Sequence, residues 1–189
     1  MKNKVVHLTV FLLAVAGICG LAIGSVNGVT APIIAIQDEE KLMQGYSEVY
    51  PGAGEYIPQE YVGADSMITG TVIAANDGKT VGVIYVVESK GYGGKVGLLV
   101  GFDMGTGSTT GLKILSQSET PGLGGNCVKP WFMDRFAGKT AARELKLVKT
   151  ETSAEDEVQA ITASTITSTA VVAGVNAARA DFAANYINR

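Results

Sequence analysis

The chain begins with its most apolar segment. Residues 5–25 contain no Asp, Glu, Lys or Arg, and about 20 such residues suffice for a helix to cross a bilayer. Lys2 and Lys4 precede this segment, whereas the first charged residues after it are the acidic residues 38–40. Because positively charged flanks stay in the cytoplasm, the pattern predicts an N-terminal transmembrane anchor with a cytoplasmic N-terminus and an extracytoplasmic remainder.

A cleaved signal peptide is the alternative interpretation, since its charged start and apolar core give a similar pattern. The small residues Ala22 and Gly24, which could mark a cleavage site, lie within the apolar segment rather than after it. This position favours an uncleaved anchor. Small residues also recur every fourth position, at Ala16, Gly20, Gly24 and Gly28. Such a stripe lets a second helix approach closely in lipid, although Gly and Ala are also common in membrane helices generally.

Beyond the anchor, the apolar positions change from helical to extended spacing. Residues 36–50 carry apolar or aromatic side chains at helical intervals, and the Pro- and Gly-rich residues 51–54 end that helix. Four runs of alternating or β-branched residues then predict strands at 67–75, 80–88, 95–103 and 110–116. Short stretches containing Gly, Asn or Asp separate these runs, which favours antiparallel neighbours over long crossovers.

The C-terminal part of the chain is predicted to be mainly helical. Residues 130–136 predict a short helix with Pro130 in its first turn, and residues 145–150 predict a further strand. The last helix is the clearest, because its apolar side chains recur every three or four residues, at Val171, Val175, Ala178, Phe182 and Tyr186. Thr167 or Ser168 is expected to cap its N-terminus.

These elements predict an α+β fold, an antiparallel sheet flanked by helices, preceded by one N-terminal transmembrane helix. Three regions follow from the pattern. Residues 1–28 form the cytoplasmic N-terminus and the anchor, residues 29–60 form a juxtamembrane helix and turn, and residues 61–189 form an extracytoplasmic domain. A chain of 189 residues is long enough for one such domain beside the anchor.

Composition and charge narrow the possible functions. Hydrophobic residues make up 47% of the chain and charged residues only 17%, an excess that the anchor explains. Without Lys2 and Lys4, 13 basic residues accompany 18 acidic ones, a formal charge of −5, so nucleic acid is not an expected partner. Cys19, Cys127 and His7 have no metal-ligand spacing. No structural zinc or iron–sulfur site is therefore expected.

The first candidate site is a hydroxyl-rich segment at the start of the last helix. It consists of Thr162, Ala163, Ser164, Thr165, Ile166, Thr167 and Ser168. A helix N-terminus offers unpaired backbone N–H groups and the positive end of the helix dipole, so phosphate binds well there. The hydroxyls of such a segment could add further hydrogen bonds to phosphate oxygens. A simple capping loop without a ligand is the alternative.

The second candidate site is a tight turn upstream. It consists of Glu119, Thr120, Pro121, Gly122, Leu123 and Gly124. Proline fixes one backbone dihedral, and the glycines allow conformations and close approaches that a side chain would block. On its own the segment could be an ordinary turn.

In order and spacing, these two segments and the N-terminal apolar helix resemble the RnfG/NqrC family of covalent FMN-binding proteins. In that family the fourth residue of the Ser/Thr-rich motif carries FMN through a phosphoester bond, and the matching residue here is Thr165. The family segment that matches residues 119–124 lines the flavin site, which implies that Leu123 contacts the ring system. Residues 91–94, 96–103 and 132–139 also resemble the family, and the resemblance extends from the anchor to about Asn176.

Two departures from the family pattern affect this interpretation. The family usually has an acidic residue six positions before the acceptor, where this chain has Gln159, with Asp156 and Glu157 a little further back. The two residues before the acceptor are Ala163 and Ser164 in place of the usual Gly or Ser and Ala. Both remain small, but Ser164 becomes a rival acceptor for the flavin.

The resemblance implies a membrane-anchored electron-transfer subunit that carries covalent FMN within an ion-translocating ferredoxin:NAD oxidoreductase (Rnf) complex. Its partners would be other membrane and peripheral subunits, and a flavin transferase would mature it. No catalytic residue is expected, and no independent substrate turnover.

Two alternatives remain open. Gln159 favours a membrane-tethered binding or assembly module that keeps the fold without flavin, and an extracellular flavinylated carrier outside an Rnf complex is the other. Cys127 is expected to be a passive, partly buried thiol, and Trp131 is expected to pack rather than to stack on a flavin.

Overall fold

The computed structural model describes residues 2–152 and 154–187. The chain divides into two compact units, residues up to Lys41 and residues from Leu42 onward. The second unit thus takes in part of the region 29–60 that was expected to form a separate juxtamembrane segment. Residue 1 and residues 188–189, which belong to the predicted first and third regions, lie outside the described residues.

The first element is one long helix, α1, at Lys2–Val49. It contains both the predicted anchor and the helix predicted over residues 36–50, which form one continuous helix. Pro32 lies inside α1. Proline removes one backbone donor from a helix and crowds the carbonyl four residues earlier, yet α1 continues through this residue.

Three hydroxyl side chains within the apolar part of α1 donate hydrogen bonds to the backbone of the same helix. The hydroxyls of Thr9, Ser25 and Thr30 each donate to the carbonyl four residues earlier, at 3.0, 2.8 and 3.0 Å. Such bonds lower the cost of carrying a hydroxyl in lipid. By length and composition, α1 is the one helix among the described residues that could cross a membrane.

The second unit is built on a five-stranded antiparallel sheet whose strands follow one another in chain order. The strands are β1 (Glu55–Gln59), β2 (Ile68–Asn76), β3 (Lys79–Lys90), β4 (Lys95–Asp103) and β5 (Thr109–Ser116). The predicted antiparallel sheet is confirmed, and β4 has the predicted bounds. The edge strand β1 was not predicted.

The two central strands are buried on both faces, because successive side chains of a strand point to opposite sides of the sheet. One face carries Val83, Tyr85, Val87, Leu98, Val100 and Phe102, which belong to the larger apolar core. The opposite face carries Ile84 and Leu99, which belong to a smaller core with Val72 and Ala74. Strands β3 and β4 are therefore the centre of the fold.

The last turns of α1, from Leu42 onward, cover the smaller core. The ring of Tyr50 lies over Gly82, where an added Cβ would stand 2.1 Å from it. The Tyr50 hydroxyl donates to the Asp103 carboxylate at 2.8 Å, and burial together with this carboxylate raises the pKa of Tyr50 above its usual value. Thr110 donates to the carbonyl of Val49 at 2.6 Å. The glycine in β3 thus allows the helix end to sit directly on the sheet.

The remaining elements follow β5. Helix α2 (Pro130–Met133) continues into a single 3-10 turn at Asp134–Phe136, which confirms the predicted short helix. Strands β6 (Lys146–Val148) and β7 (Glu157–Gln159) form a small parallel pair. The first is shorter than the predicted strand at 145–150, and the second was not predicted. Helix α3 spans Thr165–Phe182.

Helix α3 covers the larger core. Its buried apolar side chains include Val171, Val175, Ala178 and Phe182, as predicted, whereas Tyr186 is 37% exposed beyond the helix end. The ring of Phe182 stacks on Phe102 at 4.9 Å between centroids. Tyr61 and Tyr85 donate to the Asp181 carboxylate at 2.9 and 2.8 Å. These contacts fix α3, and with it the segment at its N-terminus, against the sheet.

Candidate functional site

Helix α3 begins three to four residues earlier than the predicted N-cap suggested. Ser164 occupies the N-cap position and Thr165 is the first helical residue, so the expectation that Thr167 or Ser168 caps the helix was wrong. Both of these hydroxyls have partners within the fold. Ser168 donates to the carbonyl of Ser164 at 2.9 Å, and Thr167 donates to the carboxylate of Glu119.

The turn before α3 is held by local hydrogen bonds and by one unusual backbone conformation. The backbone N–H of Ile161 donates to the Ser168 hydroxyl at 2.9 Å, and that of Ser164 donates to the Ile161 carbonyl at 3.0 Å. Ala163, between them, has a φ of 60°, in the left-handed region that side-chain-bearing residues rarely adopt. The Arg135 guanidinium donates to the Gln159 carbonyl at 2.5 Å and fixes the strand that enters the turn.

The exposed N-terminus of α3 has unused hydrogen-bonding capacity. The N–H groups of the first turn have no partner within the helix, and no side chain in the described part of the chain caps them. The Ser164 side chain is also unusual. It is only 7% exposed, and its hydroxyl has no hydrogen-bond partner among the described residues. The Thr165 side chain, by contrast, is exposed to solvent.

Glu119 connects three separate segments beside this helix end. Its carboxylate, buried at 6% exposure, accepts a hydrogen bond from the backbone N–H of Gly93 at 2.9 Å and another from the Thr167 hydroxyl. Gly93 belongs to the loop between β3 and β4, and Thr167 to the first turn of α3. Burial of a carboxylate is costly unless it is hydrogen-bonded, and here both bonds also hold the walls of the site together.

The turn at residues 119–124 packs tightly against that carboxylate. The backbone N–H groups of Leu123 and Gly125 both donate to the Thr120 carbonyl, at 3.1 and 3.0 Å. Gly122 has a φ of 79°. A Cβ added to Gly124 would lie 2.4 Å from the Thr167 hydroxyl oxygen and 2.6 Å from Glu119 Oε2, so a side chain at this position is incompatible with the observed packing.

A cavity of about 520 Å³ lies between the turn and the first turn of α3. The residues that line it are Tyr92, Glu119, Thr120, Leu123, Gly124, Ala163, Ser164, Thr165, Ile166 and Thr167. Its apolar side chains are largely exposed, at 74% for Tyr92, 44% for Leu123 and 55% for Ile166. Ligand sites of small molecules typically measure about 300–1,000 Å³, so the cavity has the size of such a site.

The structure brings most of the sequence-predicted site residues to this cavity. The exceptions are Pro121, Gly122, Thr162 and Ser168, which do not line it. Thr162 is exposed beside the turn, Gly122 gives the loop its left-handed bend, and Ser168 lies beneath Ser164. Tyr92 was missed as a site residue, although it stands in the Gly-Tyr-Gly-Gly sequence that was noted as part of the resemblance.

Cys127 and Trp131 lie close to the turn but do not line the cavity. Cys127 is fully buried, and burial together with the nearby Glu119 carboxylate raises the pKa of its thiol to about 11. A thiol in this state is a poor nucleophile. Trp131 is 48% exposed, and the Arg135 guanidinium lies 4.9 Å from its ring centroid.

The residues present fit a phosphate-bearing ligand with a planar ring, such as FMN. The open N–H groups of α3 and the unpartnered Ser164 hydroxyl are suited to phosphate oxygens. The exposed side chains of Tyr92, Leu123 and Ile166 offer apolar contact area for a ring. The Glu119 carboxylate, which would repel an anion, is engaged by Gly93 and Thr167.

Comparison with known proteins identifies first the class of domain in this chain and then the protein family to which the chain belongs. Residues 91–180 match the family model of the FMN-binding domain. The chain is 35% identical to the G subunit of the Na(+)-translocating ferredoxin:NAD(+) oxidoreductase complex of Acetobacterium woodii, covering 89% of this chain and 86% of that protein. It is 32% identical to the G subunit of the proton-translocating ferredoxin:NAD(+) oxidoreductase complex of Clostridium ljungdahlii, covering 94% and 91%. The chain belongs to the family of Rnf complex G subunits, RnfG.

A solved structure shares the fold. The C subunit of the Na(+)-translocating NADH-quinone reductase of Parabacteroides distasonis superposes with a TM-score of 0.58 at 22% identity, covering 79% of this chain and 84% of that one. At this level of identity the likeness supports the architecture, a meandering antiparallel sheet with helices packed on it. The resemblance to RnfG and NqrC that the two sequence segments indicated is therefore confirmed at the level of family and fold.

Proposed function

We propose that this chain is a membrane-anchored electron-transfer subunit that carries FMN by a phosphoester bond to the Thr165 hydroxyl. The observation that carries the proposal is the position of Thr165. It is the first residue of α3, its side chain is exposed, and it lines the cavity beside the open N–H groups of the helix. When bound, FMN supplies reversible one- and two-electron transfer, and the protein supplies its position and surroundings.

Each residue of the site has a distinct part in this proposal. The first-turn N–H groups and the Ser164 hydroxyl would hold phosphate oxygens, because they lack partners within the described residues. Leu123 and Ile166 would contact the ring. Thr167 and Ser168 would not donate to the phosphate, since their hydroxyl protons are already given to Glu119 and to the Ser164 carbonyl. Their part is to hold the turn in shape.

Membership of the RnfG family supports a place in a complex of several subunits. The relatives in Acetobacterium woodii and Clostridium ljungdahlii are named as subunits of ferredoxin:NAD(+) oxidoreductase complexes that translocate Na⁺ and protons, respectively. We infer that this chain relays electrons between other subunits of such a complex and turns over no substrate alone. Helix α1 would be its anchor, with the N-terminus in the cytoplasm and the flavin domain outside.

Co-purification of other subunits with the tagged chain from native membranes tests the proposed place in a complex. Purification of the chain alone would favour the separate-carrier alternative.

Intact-mass analysis tests the attachment directly. The full chain is co-expressed with a flavin transferase, and the mass and in-gel fluorescence of wild type, Thr165→Val and Ser164→Ala are compared. We expect a single flavin adduct on wild type and Ser164→Ala, and none on Thr165→Val. An adduct that persists in Thr165→Val and disappears in Ser164→Ala would move the acceptor to Ser164. An unmodified wild type would contradict the proposal and favour the flavin-free binding module.

The replacement of the family's acidic residue by Gln159 leads to a second prediction. Gln159 ends β7, and its backbone is fixed by Arg135, so an Asp at this position would restore the carboxylate without moving the strand. We expect Gln159→Asp to raise the flavinylated fraction when transferase is limiting, with Gln159→Asn as the uncharged control. Equal modification of wild type and both variants would show that Asp156 or Glu157 serves instead, or that no acid is needed.

A further inference from the structure

The described residues that line the cavity beside Thr165 include one carboxylate and no Lys or Arg. That carboxylate belongs to Glu119, which is only 6% exposed. It accepts hydrogen bonds from the Gly93 N–H at 2.9 Å and from the Thr167 hydroxyl. Both donors are neutral, so they stabilise the negative charge without cancelling it. An anion bound in the cavity would therefore be repelled by a fixed like charge.

The first turn of α3 supplies the attraction that such an anion would need. Its open N–H groups form the positive end of the helix dipole. Ser164 adds a separate donor, because its hydroxyl is buried, lines the cavity and has no hydrogen-bond partner among the described residues. A buried hydroxyl gains free energy when a ligand accepts its hydrogen bond. The family motif usually has Ala at this position, so the donor is a feature of the present chain.

The balance between these two effects depends on the charge of the ligand. The end of a helix is equivalent to about +0.5 elementary charge, which is less than the full charge of a carboxylate. Thr167, which donates to Glu119, is the third residue of α3, so the carboxylate lies one hydrogen bond from the turn that would hold a phosphate. The donors of that turn and of Ser164 offset the repulsion of one negative charge. A second charge on the ligand would add repulsion without adding a donor.

Free and attached FMN differ in this charge. A phosphate monoester loses its second proton near about pH 6 and carries about −1.5 to −2 charges at pH 7. A phosphodiester has no second proton to lose and carries a single negative charge. Formation of the bond to Thr165 would thus remove the charge that the cavity disfavours.

The other titratable groups near the site leave this balance in place. Lys90 lines a smaller cavity that shares Thr165 and Ile166, but it is exposed, and water and salt screen an exposed ammonium group strongly. Cys127 lies beside Glu119, and burial together with that carboxylate raises the pKa of its thiol to about 11. The phenol of Tyr92 also lines the cavity. Tyrosine and lysine side chains do not ordinarily titrate between pH 5.5 and 8.

We propose that this site selects a phosphate group with one negative charge and that Glu119 sets this selectivity. The site accepts the phosphodiester of attached FMN and disfavours the dianion of free FMN. This inference rests on the proposed function, because it takes FMN as the ligand. It also gives covalent attachment a physical role beyond retention, since the ester bond converts a disfavoured ligand into a favoured one.

Binding of three flavins that differ only in the phosphate group tests the selectivity. The full chain in detergent carries Thr165→Gly in every sample, which leaves room for an ester group in place of the Thr165 side chain. FMN, riboflavin and riboflavin 5′-(methyl phosphate), a diester, are titrated by flavin fluorescence. At pH 8 we expect the methyl ester to bind about tenfold more tightly than FMN, a difference that corresponds to about one pKa unit. At pH 5.5, where FMN is largely a monoanion, the two affinities should agree within about twofold.

Three variants in this background separate the repulsion from the attraction. Glu119→Gln removes the charge and keeps an acceptor, so FMN and the methyl ester should bind within about threefold of each other at pH 8. Glu88→Gln is the matched control and should keep the preference for the ester, because Glu88 pairs with Lys95 at the surface and does not line the cavity. Ser164→Ala should weaken the methyl ester by about tenfold and leave riboflavin unchanged, because only the phosphate accepts from this hydroxyl.

Phosphorus NMR gives a measurement that a merely structural role of Glu119 would not change. We expect the second pKa of the FMN phosphate to rise from about 6 to about 7 on binding, because the site favours the singly charged form. FMN should accordingly bind more tightly as the pH falls from 8 to 5.5. With Glu119→Gln, the phosphate pKa should return toward its value in free FMN.

The outcomes separate this inference from the proposed function. An unchanged or lowered phosphate pKa, tighter binding of FMN than of the methyl ester at pH 8, an ester preference that survives Glu119→Gln, or failure of the methyl ester to bind would each overturn the selectivity. None of these results would affect the covalent bond, which the intact mass of the wild-type chain reports. A wild type that acquires no flavin would instead contradict the proposed function.

Discussion

Ala163 carries backbone strain at the entrance to α3, with a φ of 60°. A left-handed conformation costs a residue with a Cβ about 1–2 kcal/mol, and glycine avoids that cost while losing about 0.5–1 kcal/mol through greater freedom of the unfolded chain. We therefore expect Ala163→Gly to raise the free energy of unfolding by about 0.5–1 kcal/mol. Ala163→Val should lower it by at least about 1 kcal/mol, since a β-branched side chain tolerates positive φ poorly.

Denaturant unfolding followed by the emission of the single tryptophan, Trp131, measures these differences. Ala142→Gly is the matched control. Ala142 is exposed in a turn and is not among the described residues with positive φ, so glycine there should reduce stability by up to about 1 kcal/mol. Loss of stability in both glycine variants would show that Ala163 is not strained in solution.

At the scale of the elements, the Glu119 carboxylate determines how the loop, the turn and the helix meet. Glu119→Ala leaves the Gly93 N–H and the Thr167 hydroxyl without their partner. A buried polar group without a hydrogen-bond partner costs about 1–3 kcal/mol. We therefore expect this variant to lose about 2–3 kcal/mol of unfolding free energy. Glu119→Gln retains an acceptor and a donor, and should lose about 1 kcal/mol.

Hydrogen exchange at the Gly93 amide reports the same bond locally. Its exchange should accelerate in Glu119→Ala, because the acceptor of the Gly93 N–H has been removed. Glu88→Ala is the control. Glu88 pairs with Lys95 at the surface, and such exposed pairs contribute about 0–1 kcal/mol. Unchanged Gly93 exchange in Glu119→Ala would mean that the loop is held by its own turn alone.

The contact between the end of α1 and the sheet is especially close at Gly82. A Cβ at Gly82 would lie 2.1 Å from the Tyr50 ring and 2.7 Å from the carbonyl oxygen of Phe102. The ring could move, but the backbone oxygen belongs to the neighbouring strand. We expect Gly82→Ala to cost about 2–3 kcal/mol of stability, as overpacking of a core does.

Gly70→Ala provides the comparison for that variant, because it also adds a methyl group to a strand glycine. Its nearest neighbour would be the Val86 side chain at 3.7 Å, an ordinary contact distance. We expect a change within about 0.5 kcal/mol, in line with substitutions that meet no special feature. Equal losses for Gly70→Ala and Gly82→Ala would contradict the view that α1 requires the glycine.

The elements that were predicted correctly from the sequence are those whose own residues show a clear pattern of apolar positions. Strands β2 to β5 alternate or carry β-branched residues over eight residues or more, and their positions followed from that pattern. Strand β1 has only five residues, contains Pro58, and is mostly exposed. As an edge strand it pairs on one side only, so it tolerates a proline and needs no apolar face. The formation of β1 depends on its pairing with β2, and no local sequence pattern reveals that pairing.

The prediction of the site had a different basis. Thr165 and the turn at residues 119–124 were singled out by their resemblance to the RnfG/NqrC motifs, because a hydroxyl-rich cap or a tight turn alone does not distinguish a ligand site. The structural role of Glu119 could not be predicted from the sequence. One of its partners is a backbone N–H 26 residues away, and a backbone donor has no signature in a sequence. The start of α3 was misplaced for a similar reason. The Thr167 hydroxyl, which suggested a cap, donates instead to Glu119, 48 residues away in the chain. The Ser168 hydroxyl bonds to the backbone of Ile161 and Ser164 in the turn before the helix.

At the scale of the whole molecule, the predicted orientation of α1 in a membrane determines which side the proposed flavin site would face. Helix α1 is long and apolar enough to span a bilayer, and the basic residues Lys2 and Lys4 precede its apolar part. Acidic residues follow it at positions 38–40. Because positive flanks remain in the cytoplasm, we expect Lys4 to lie inside the cell and the turn between β2 and β3 to lie outside.

Single-cysteine labelling of intact cells tests this orientation. Cys19→Ser is the background variant. Cys127 should not be labelled in it, because this residue is buried and the pKa of its thiol is raised to about 11. Lys79→Cys places a thiol at the exposed start of β3. We expect a membrane-impermeant maleimide to label it before lysis, and to label the matched variant Lys4→Cys only after lysis. The opposite pattern would place residues from Leu42 onward in the cytoplasm, and the cavity beside Thr165 would then have to exchange electrons with partners on that side.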